Sequence, residues 1–312
     1  MISVGIVIVT YNSSDHIGEC LDAALTAGAH VVVVDNASHD ETCAVVAGRG
    51  GSLISNKENR GFAAAVNQGI RALETPYILL LNPDSIVQTD LEPLRACCDR
   101  PGTAGAGGML LDASGFPQIG FMCRRFPTPR ALIFEALGLN RLWPRNPVNW
   151  HFRCLGIDYK VEQPVDQPAG AFLMIRRDVW DKIGGFDEHF HPLWFEDVDF
   201  AQRAAALGYR MYYTPLAVAK HTGGHSIVNM PLEIRSCYWY GSLLRYIKKH
   251  FRPWSTRAVC FAIIAGSLAR MLTVSVVQRS FKPLVAYAHV IALAGRFLIL
   301  GPKGSTELLF PG

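Results

Sequence analysis

Residues 185–203 set five carboxylates (Asp187, Glu188, Glu196, Asp197, Asp199) among five aromatic side chains. Charges are normally kept out of apolar surroundings because burying them is costly. Acids fixed beside aromatics just ahead of a helix point to a carboxylate whose pKa is set for proton transfer. The plainer explanation is a helix start whose acids favour its positive end. Three further clusters bear on that choice. Asn82-Pro83-Asp84 follows an apolar run and presents a lone carboxylate. Such a group can hold a divalent cation on a diphosphate, although Asn and Asp are also common turn residues. Asp35 and Asp40 flank a second loop. Asp35 can accept from a base N–H or a ribose hydroxyl, and Asp40 is equally placed to cap the next helix. His221-Thr-Gly-Gly-His225-Ser226 offers imidazoles as metal or phosphate ligands, with backbone amides open to an anion.

The elements that must carry these clusters alternate. Short β-branched or apolar runs at 4–9, 31–34, 52–55 and 77–81 read as buried strands, and helices are expected over 16–27, 41–48 and 62–73. Ser13-Ser14-Asp15 is placed to cap the first helix. Alternating strands and helices give βαβ units, that is, an α/β fold with a mostly parallel sheet flanked by helices. Ligands in such sheets bind at the carboxyl ends of strands, where clusters 10–12, 35–40 and 82–84 all fall. Further strands are expected at 104–111, 116–120, 171–175 and 211–214, and a helix over 196–207 ending at Gly208. Residues 123–165 read as a variable loop region without assignable elements.

Composition narrows the class. The chain has 312 residues, half of them hydrophobic, and eight scattered cysteines with no Cys-x-x-Cys pair. That pattern gives neither a disulfide framework nor a zinc site and fits a reducing cytoplasm. The apolar run at 4–9 lacks a basic lead and is too short for a signal peptide. No Gly-x-Gly-x-x-Gly and no Walker loop is present, which disfavours a dinucleotide fold or a P-loop NTPase. The net charge of +4 is unevenly spread: from Arg235 onward eleven Lys or Arg face one acid, Glu307.

Taken in order, these motifs resemble family 2 glycosyltransferases of the GT-A fold, in the bacterial rhamnosyltransferase-like branch. The carrying stretches are Val-Ile-Val-Thr-Tyr-Asn (7–12), Val-Val-Asp-Asn-Ala-Ser-His-Asp (33–40), Asn-Arg-Gly-Phe-Ala-Ala-Ala-Val-Asn-Gln-Gly (59–69), Leu-Leu-Asn-Pro-Asp (80–84), Gly-Ala-Phe-Leu-Met-Ile-Arg-Arg (170–177), Gly-Gly-Phe-Asp-Glu (184–188), Phe-Glu-Asp-Val-Asp (195–199) and His-Thr-Gly-Gly-His-Ser (221–226). The resemblance implies that Thr10, Tyr11, Asn12, Asp35, Asn59, Gly61, Phe62, Asn67 and Asn82 hold the donor nucleotide. It implies that Asp84 and His221 hold a divalent cation, Mg2+ or Mn2+. Asp84 matches the last acid of the family's Asp-x-Asp motif, whereas the first acid is replaced by Asn82, a weaker ligand. Asp197 matches the general base, with Glu196 as its neighbour, and Trp194, Phe195 and Gly170 are assigned to the acceptor. Glu196 and the aromatics would raise the pKa of Asp197, while a helix N-terminus would lower it. Asp199 and Arg203, four apart, suit a helix-face pair.

The expected reaction is inverting transfer of a sugar, L-rhamnose from dTDP-rhamnose, to a lipid-linked or polysaccharide acceptor in cell-envelope glycan synthesis. The alternatives are a UDP-hexose or N-acetylhexosamine transferase for O-antigen or capsule, and an inactive sugar-nucleotide-binding scaffold. The expected domains are 1–226, with a nucleotide half (1–100) and an acceptor and catalytic half (101–226), and a basic apolar tail at 227–312. In the tail a helix is expected over 232–251, and 258–269 and 284–295 are uncharged apolar runs. Each run is shorter than the roughly 20 residues that span a bilayer. Apolar helices punctuated by cations match an element lying on an anionic membrane surface, here through 235–303. A buried helical pair is the plainer alternative. The location expected is cytoplasmic, peripheral on the inner face of the bacterial cell membrane, with no nucleic-acid partner.

Overall fold

A computed structural model describes residues 4–27, 30–223 and 230–300 of the chain. The first hundred residues run β1 (Val4–Thr10), α1 (Ser14–Thr26), β2 (His30–Asp35), α2 (Thr42–Ala47), β3 (Ser52–Ser55), α3 (Phe62–Arg71), β4 (Tyr77–Leu81), β5 (Ser85–Val87) and α4 (Glu92–Cys98). The β-branched runs of β1 and β2 are buried almost throughout, as strands covered on both faces must be. Only glycine lets α3 lie this close to the sheet: a Cβ on Gly69 would stand 2.6 Å from the Val7 side chain. Ser13 occupies the cap position of α1, but its carbonyl, not its hydroxyl, accepts from His16 and Ile17.

The middle of the chain gives β6 (Thr103–Leu111), β7 (Cys123–Arg124), α5 (Pro129–Ala136), α6 (Leu139–Leu142), α7 (Pro147–Phe152), β8 (Gln163–Val165), β9 (Gln167–Pro168) and β10 (Phe172–Arg176). Then follow α8 (Arg177–Ile183), α9 (Glu196–Ala206) and β11 (Arg210–His221). The main sheet is ordered β3-β2-β1-β4-β10-β6-β11-β5, with β8 joined to β11. The strands β3, β2, β1 and β4 are mutually parallel, and β6 and β11 are parallel to each other. Between the two sets β10 runs antiparallel to both β4 and β6. That reversal matters for the site, because it brings the start of β10 to the carboxyl end of β4.

Two expectations change here. The strand expected at 211–214 is twelve residues long, because β11 resumes its pairing after a register shift between Thr214 and Val218. At 116–120 only one isolated bridge, Leu111 to Pro117, is present, since Asp112 folds the chain back by accepting from Ser114 and Phe116 N–H.

The chain divides into two compact units: one within residues 1–126, 153–192 and 196–228, the other within 127–152, 193–195 and 229–312. The second unit is helical and contains α5 to α7 with α10 (Leu232–His250), α11 (Pro253–Gln278) and α12 (Lys282–Leu300). Residues 127–152 of the unassigned middle segment thus belong with the tail, while its two ends belong to the first unit. The segment's helices are too short to show periodicity, and side chains rather than pattern hold them. Asn146 Nδ2 donates to Asn140 Oδ1 and the Trp143 carbonyl, and Asn146 Oδ1 accepts from Asn149 N–H. α5 packs on α11 at Gly266, where a Cβ would overlap the Ala136 carbonyl oxygen. Beside it Arg270 donates to the Ala136 carbonyl at 2.6 Å and the Glu135 carbonyl at 2.9 Å. The tail helices also exceed the expected runs. α11 has 26 residues and α12 has 19, because a lone cation does not stop a helix. Both are long and apolar enough to cross a membrane by length and composition.

Candidate active site

The residues expected to meet the donor gather at the ends of β1 and β2. Asp35 is buried, and its Oδ1 accepts from the Thr10 hydroxyl at 2.9 Å and the Ser38 hydroxyl at 2.5 Å. Its Oδ2 accepts from Ser38 N–H at 2.9 Å. Thr10 is itself fully buried, so it positions Asp35 instead of meeting a ligand. Tyr11 is exposed, and Asn12 bridges the two loops: its N–H donates to Ser38 Oγ and its Oδ1 accepts from His39 N–H, both at 2.8 Å. Asp40 stands one residue ahead of the α2 cap position, Glu41, and ties the start of α2 to that of α1 by accepting from Thr42 N–H and Ser14 N–H. Partial burial pushes its carboxyl up, but donors from Thr42 and Ser14 outweigh that and hold it at about 2.

Asn36 carries a role that reading the sequence did not assign. It is buried and donates to the Gly61 carbonyl at 3.1 Å, while its own carbonyl accepts from Asn56 Nδ2 at 3.0 Å. The loop 56–61 is thereby fixed beside Asp35. Within it Asn59 Oδ1 accepts from Gly61 N–H at 2.9 Å. Gly61 has φ +82°, and a Cβ there would lie 2.7 Å from the His191 ring. Phe62 packs on the core and donates its N–H to the Pro192 carbonyl at 2.7 Å, which makes it a fixing point for the loop. Asn67 departs from its expected role as a donor ligand. It is buried, both amide hydrogens go to the Phe186 carbonyl and Glu188, and its oxygen accepts from Trp180 and Phe186. With its bonding capacity engaged by protein, it clamps the turn before α9 and does not face a nucleotide.

The β4–β5 hairpin and the end of β11 assemble the second part. The pairing of His221 with Ser85 sets the imidazole beside Asp84, with Nε2 3.5 Å from Asp84 Oδ1. Gln118 fixes the ring. Its amide nitrogen donates to the His221 carbonyl at 2.7 Å, so its Oε1, 3.0 Å from Nδ1, must accept the Nδ1–H. The Nε2 lone pair therefore faces the carboxylate. Burial holds His221 below its ordinary range, only partly offset by Asp84. Phe121 stacks on the ring at 5.2 Å. Two acceptor atoms at this separation suit a divalent cation, whose bonds to such ligands run at about 2.0–2.2 Å. Among the described residues no group of three or more His, Cys, Asp or Glu is assembled, so these residues would supply two such ligands, Asp84 and His221. His225 and Ser226 lie outside the described residues. Asn82 contributes its backbone, donating to the Ala171 carbonyl at 3.1 Å and accepting from Ser85 N–H at 3.0 Å.

The acids of α9 complete the site and differ from one another. Asp197 is partly buried; its Oδ2 accepts from Gly170 N–H at 3.2 Å and its Oδ1 from Val198 N–H at 2.8 Å. Gly170 thus holds the carboxylate through its N–H. Burial raises the Asp197 pKa, opposed by those two N–H groups and by the charge of Arg124. Arg124, in β7, reaches the site because β7 pairs with β9, just ahead of Gly170. Glu196 is buried, and its Oε2 has no hydrogen-bond partner among the described residues. Burial, reinforced by the charge of Asp197, pushes its pKa well up. For both acids desolvation outweighs the opposing backbone N–H groups. Asp199 is fully buried and pairs with Arg203 at 2.7 Å; Arg203 also donates to the Ile183 and Gly185 carbonyls. Asp187 and Glu188 shape the preceding turn, bonding His189 and Asn67. In the helical unit, Phe195 packs against Trp239 and Tyr246 of α10, and both Trp194 and Phe195 have positive φ.

The profile of glycosyl transferase family 2 matches residues 5–183, more than half of the chain. The chain belongs to glycosyl transferase family 2. The profile of the N-terminal domain of galactosyltransferase also matches, over residues 151–224. This glycosyltransferase is 29% identical over 287 residues to the N-acetylglucosaminyl-diphospho-decaprenol L-rhamnosyltransferase of Mycobacterium tuberculosis, covering 85% of this chain and 90% of that one. It is 26% identical over 259 residues to the rhamnosyltransferase WbbL of Escherichia coli, covering 79% and 93%. Among solved structures, a mannosyltransferase from Pyrobaculum calidifontis in complex with GDP-Man and Mn2+ superposes with a TM-score of 0.54 at 16% identity, covering 96% of this chain and 87% of that one. The glycosyltransferase has the GT-A fold.

Proposed function

We propose that the protein is an inverting rhamnosyltransferase that moves L-rhamnose from dTDP-rhamnose to a lipid-diphosphate-linked acceptor in cell-envelope glycan synthesis. The observation that carries this is the strand order. β10 runs antiparallel to β4, so Gly170, whose N–H holds the base Asp197, directly precedes Ala171, which is bonded to the Asn82–Asp84 turn. Base and leaving-group site are thereby built on neighbouring strand ends. Asp197 takes the proton from the acceptor hydroxyl, whose oxygen attacks the anomeric carbon. The bond from that carbon to the diphosphate oxygen breaks on the opposite side, and the nucleoside diphosphate leaves with the bonding pair. Asp84 and His221 would hold Mg2+ or Mn2+, which when bound neutralises charge on the leaving diphosphate. Asp35, fixed by Thr10 and Ser38, recognises the nucleoside, with Tyr11, Asn12 and the Asn59–Gly61 loop around it. The sugar and the lipid acceptor are supported by the named relatives in Mycobacterium tuberculosis and Escherichia coli. The helical unit works at the anionic cytoplasmic face of the membrane, where a lipid-linked acceptor resides. Its excess of cations over acids supports that placement.

A donor panel tests the reading. The purified enzyme is given dTDP-rhamnose, UDP-hexoses and UDP-N-acetylhexosamines with a polyprenyl-diphosphate-linked acceptor, and products are weighed by mass spectrometry. Rhamnose addition is expected. Transfer only from a UDP-sugar would replace the donor, and absence of transfer from every donor would overturn the reading.

A further inference from the structure

The helical unit carries an exposed apolar face that its sequence alone conceals. On α11, Phe261, Leu268, Leu272 and Val276 recur at spacings of seven, four and four, which places them on one side of the helix. They are 61%, 51%, 68% and 76% exposed. The stretch from the first to the last is about 22 Å long at 1.5 Å per residue. In the sequence Arg270 interrupts it. In the structure Arg270 points the other way and is bound to the carbonyls that end α5, so the outer face between Arg257 and Arg279 carries no charge. A contiguous exposed apolar surface of this kind marks an interaction site.

The opposite side of α11 decides how a membrane is met. It packs on α5, and through Arg270 and Gly266 it is tied to a segment with Asn140, Arg141, Arg145, Asn146 and Asn149. Likewise α12 holds His289 against Glu233 of α10 at 2.7 Å, midway along its length. A helix crossing the hydrocarbon would drag these polar groups to its centre, where each costs several kcal/mol. One face apolar and bare, the other packed on polar-bearing helices, is the pattern of a helix lying in the interface.

We infer that α11 lies in the plane of an anionic bilayer with its Phe261–Leu268–Leu272–Val276 face in the acyl layer, and does not span it. Residues 230–300 hold ten Lys or Arg against one acid, Glu233, which complements anionic headgroups. The length of α11, which by itself would permit a crossing, is thus overridden by what its inner face carries. This rests on the reading of the helical unit as membrane-bound.

The test is sedimentation of the full chain with phosphatidylcholine vesicles, with and without phosphatidylglycerol, followed by alkaline carbonate washing. Wild type is expected to sediment with the phosphatidylglycerol vesicles and to be released by carbonate. Leu272→Glu, and separately Leu268→Glu, should lower partitioning at least about tenfold, in line with a leucine's burial energy. Their thermal midpoints and nucleoside-diphosphate affinity should be unchanged. Wild type that binds but resists carbonate, or variants that bind as well as wild type, would overturn the inference while leaving membrane association intact. Wild type that sediments with neither vesicle would overturn both. If wild type instead forms a dimer that Leu272→Glu dissolves, and neither binds vesicles, the face belongs to a second copy and the inference fails.

Discussion

Asp35 and Glu196 are both buried carboxylates in the same unit, yet their surroundings are opposite. Asp35 accepts two hydroxyls and a backbone N–H, and Thr10, one of its donors, is buried for that purpose. Glu196 has an oxygen with no partner among the described residues, beside a second carboxylate whose pKa is also raised. Asp35, bonded on both oxygens, is a fixed acceptor suited to recognition, because those bonds set its direction. An unsatisfied carboxylate is held ready to change its protonation. In the proposed mechanism the GT-A unit therefore separates a rigid reading site at β1 and β2 from a reactive one at α9, with Asp84 and His221 between them in function.

The strongest way to break this contrast is Asp197→Asn. Transfer should fall about 10²–10⁴-fold, the range of a positioned base, while calorimetry finds nucleoside diphosphate binding unchanged. In the wild type the acid limb of kcat/KM should lie above the ordinary aspartate value of 3.8, with activity lost as pH falls through that raised pKa. Gln118→Leu should come next. It leaves Asp84 and His221 in place but frees the imidazole tautomer, and a second-layer partner of this kind is worth about 10–100-fold in metal affinity or activity. A Mn2+ titration of turnover reads it. Asp35→Asn should then cost about 1–3 kcal/mol of stability by thermal unfolding, because Thr10 and Ser38 lose a charged acceptor. It should weaken the donor KM more than kcat. An equal fall in kcat with KM unchanged would erase the distinction between reading and reacting sites.

The smallest effect tests Glu196. Its folded pKa is raised, so above its ordinary value of 4.5 the native state binds more protons than the unfolded chain. Its stability contribution therefore declines as pH rises from about that value through the folded pKa. Glu196→Gln should leave the midpoint in acid unchanged and flatten the decline, as differential scanning calorimetry across pH would show. An unaltered slope would mean that another group titrates there.

Sequence order alone located β1 to β4 and α9 and named the strand-end clusters, because buried parallel strands are written as short continuous apolar runs. It also gave the pairing of Asp199 with Arg203, a local interaction four residues apart. It misread residues whose partners are distant. Asn67 looked like a ligand, but Phe186 and Glu188, about 120 residues away in sequence, engage it. Gln118 and Arg124 carried no signal, because their roles exist only once β11 reaches His221 and β7 meets β9. The same holds in the helical unit, where Arg270 reads as an exposed cation until α5 arrives to receive it.

The family and the GT-A fold were thus determined by the amino-acid sequence itself, since they rest on local patterns and motif order. What only the tertiary structure decided is which polar groups are satisfied. A side chain's hydrogen bonds to residues a hundred positions away set whether it reads a ligand, moves a proton or merely holds the fold. No local pattern encodes those bonds, because they form only when the reversed β10 and the returning β11 bring distant strand ends together.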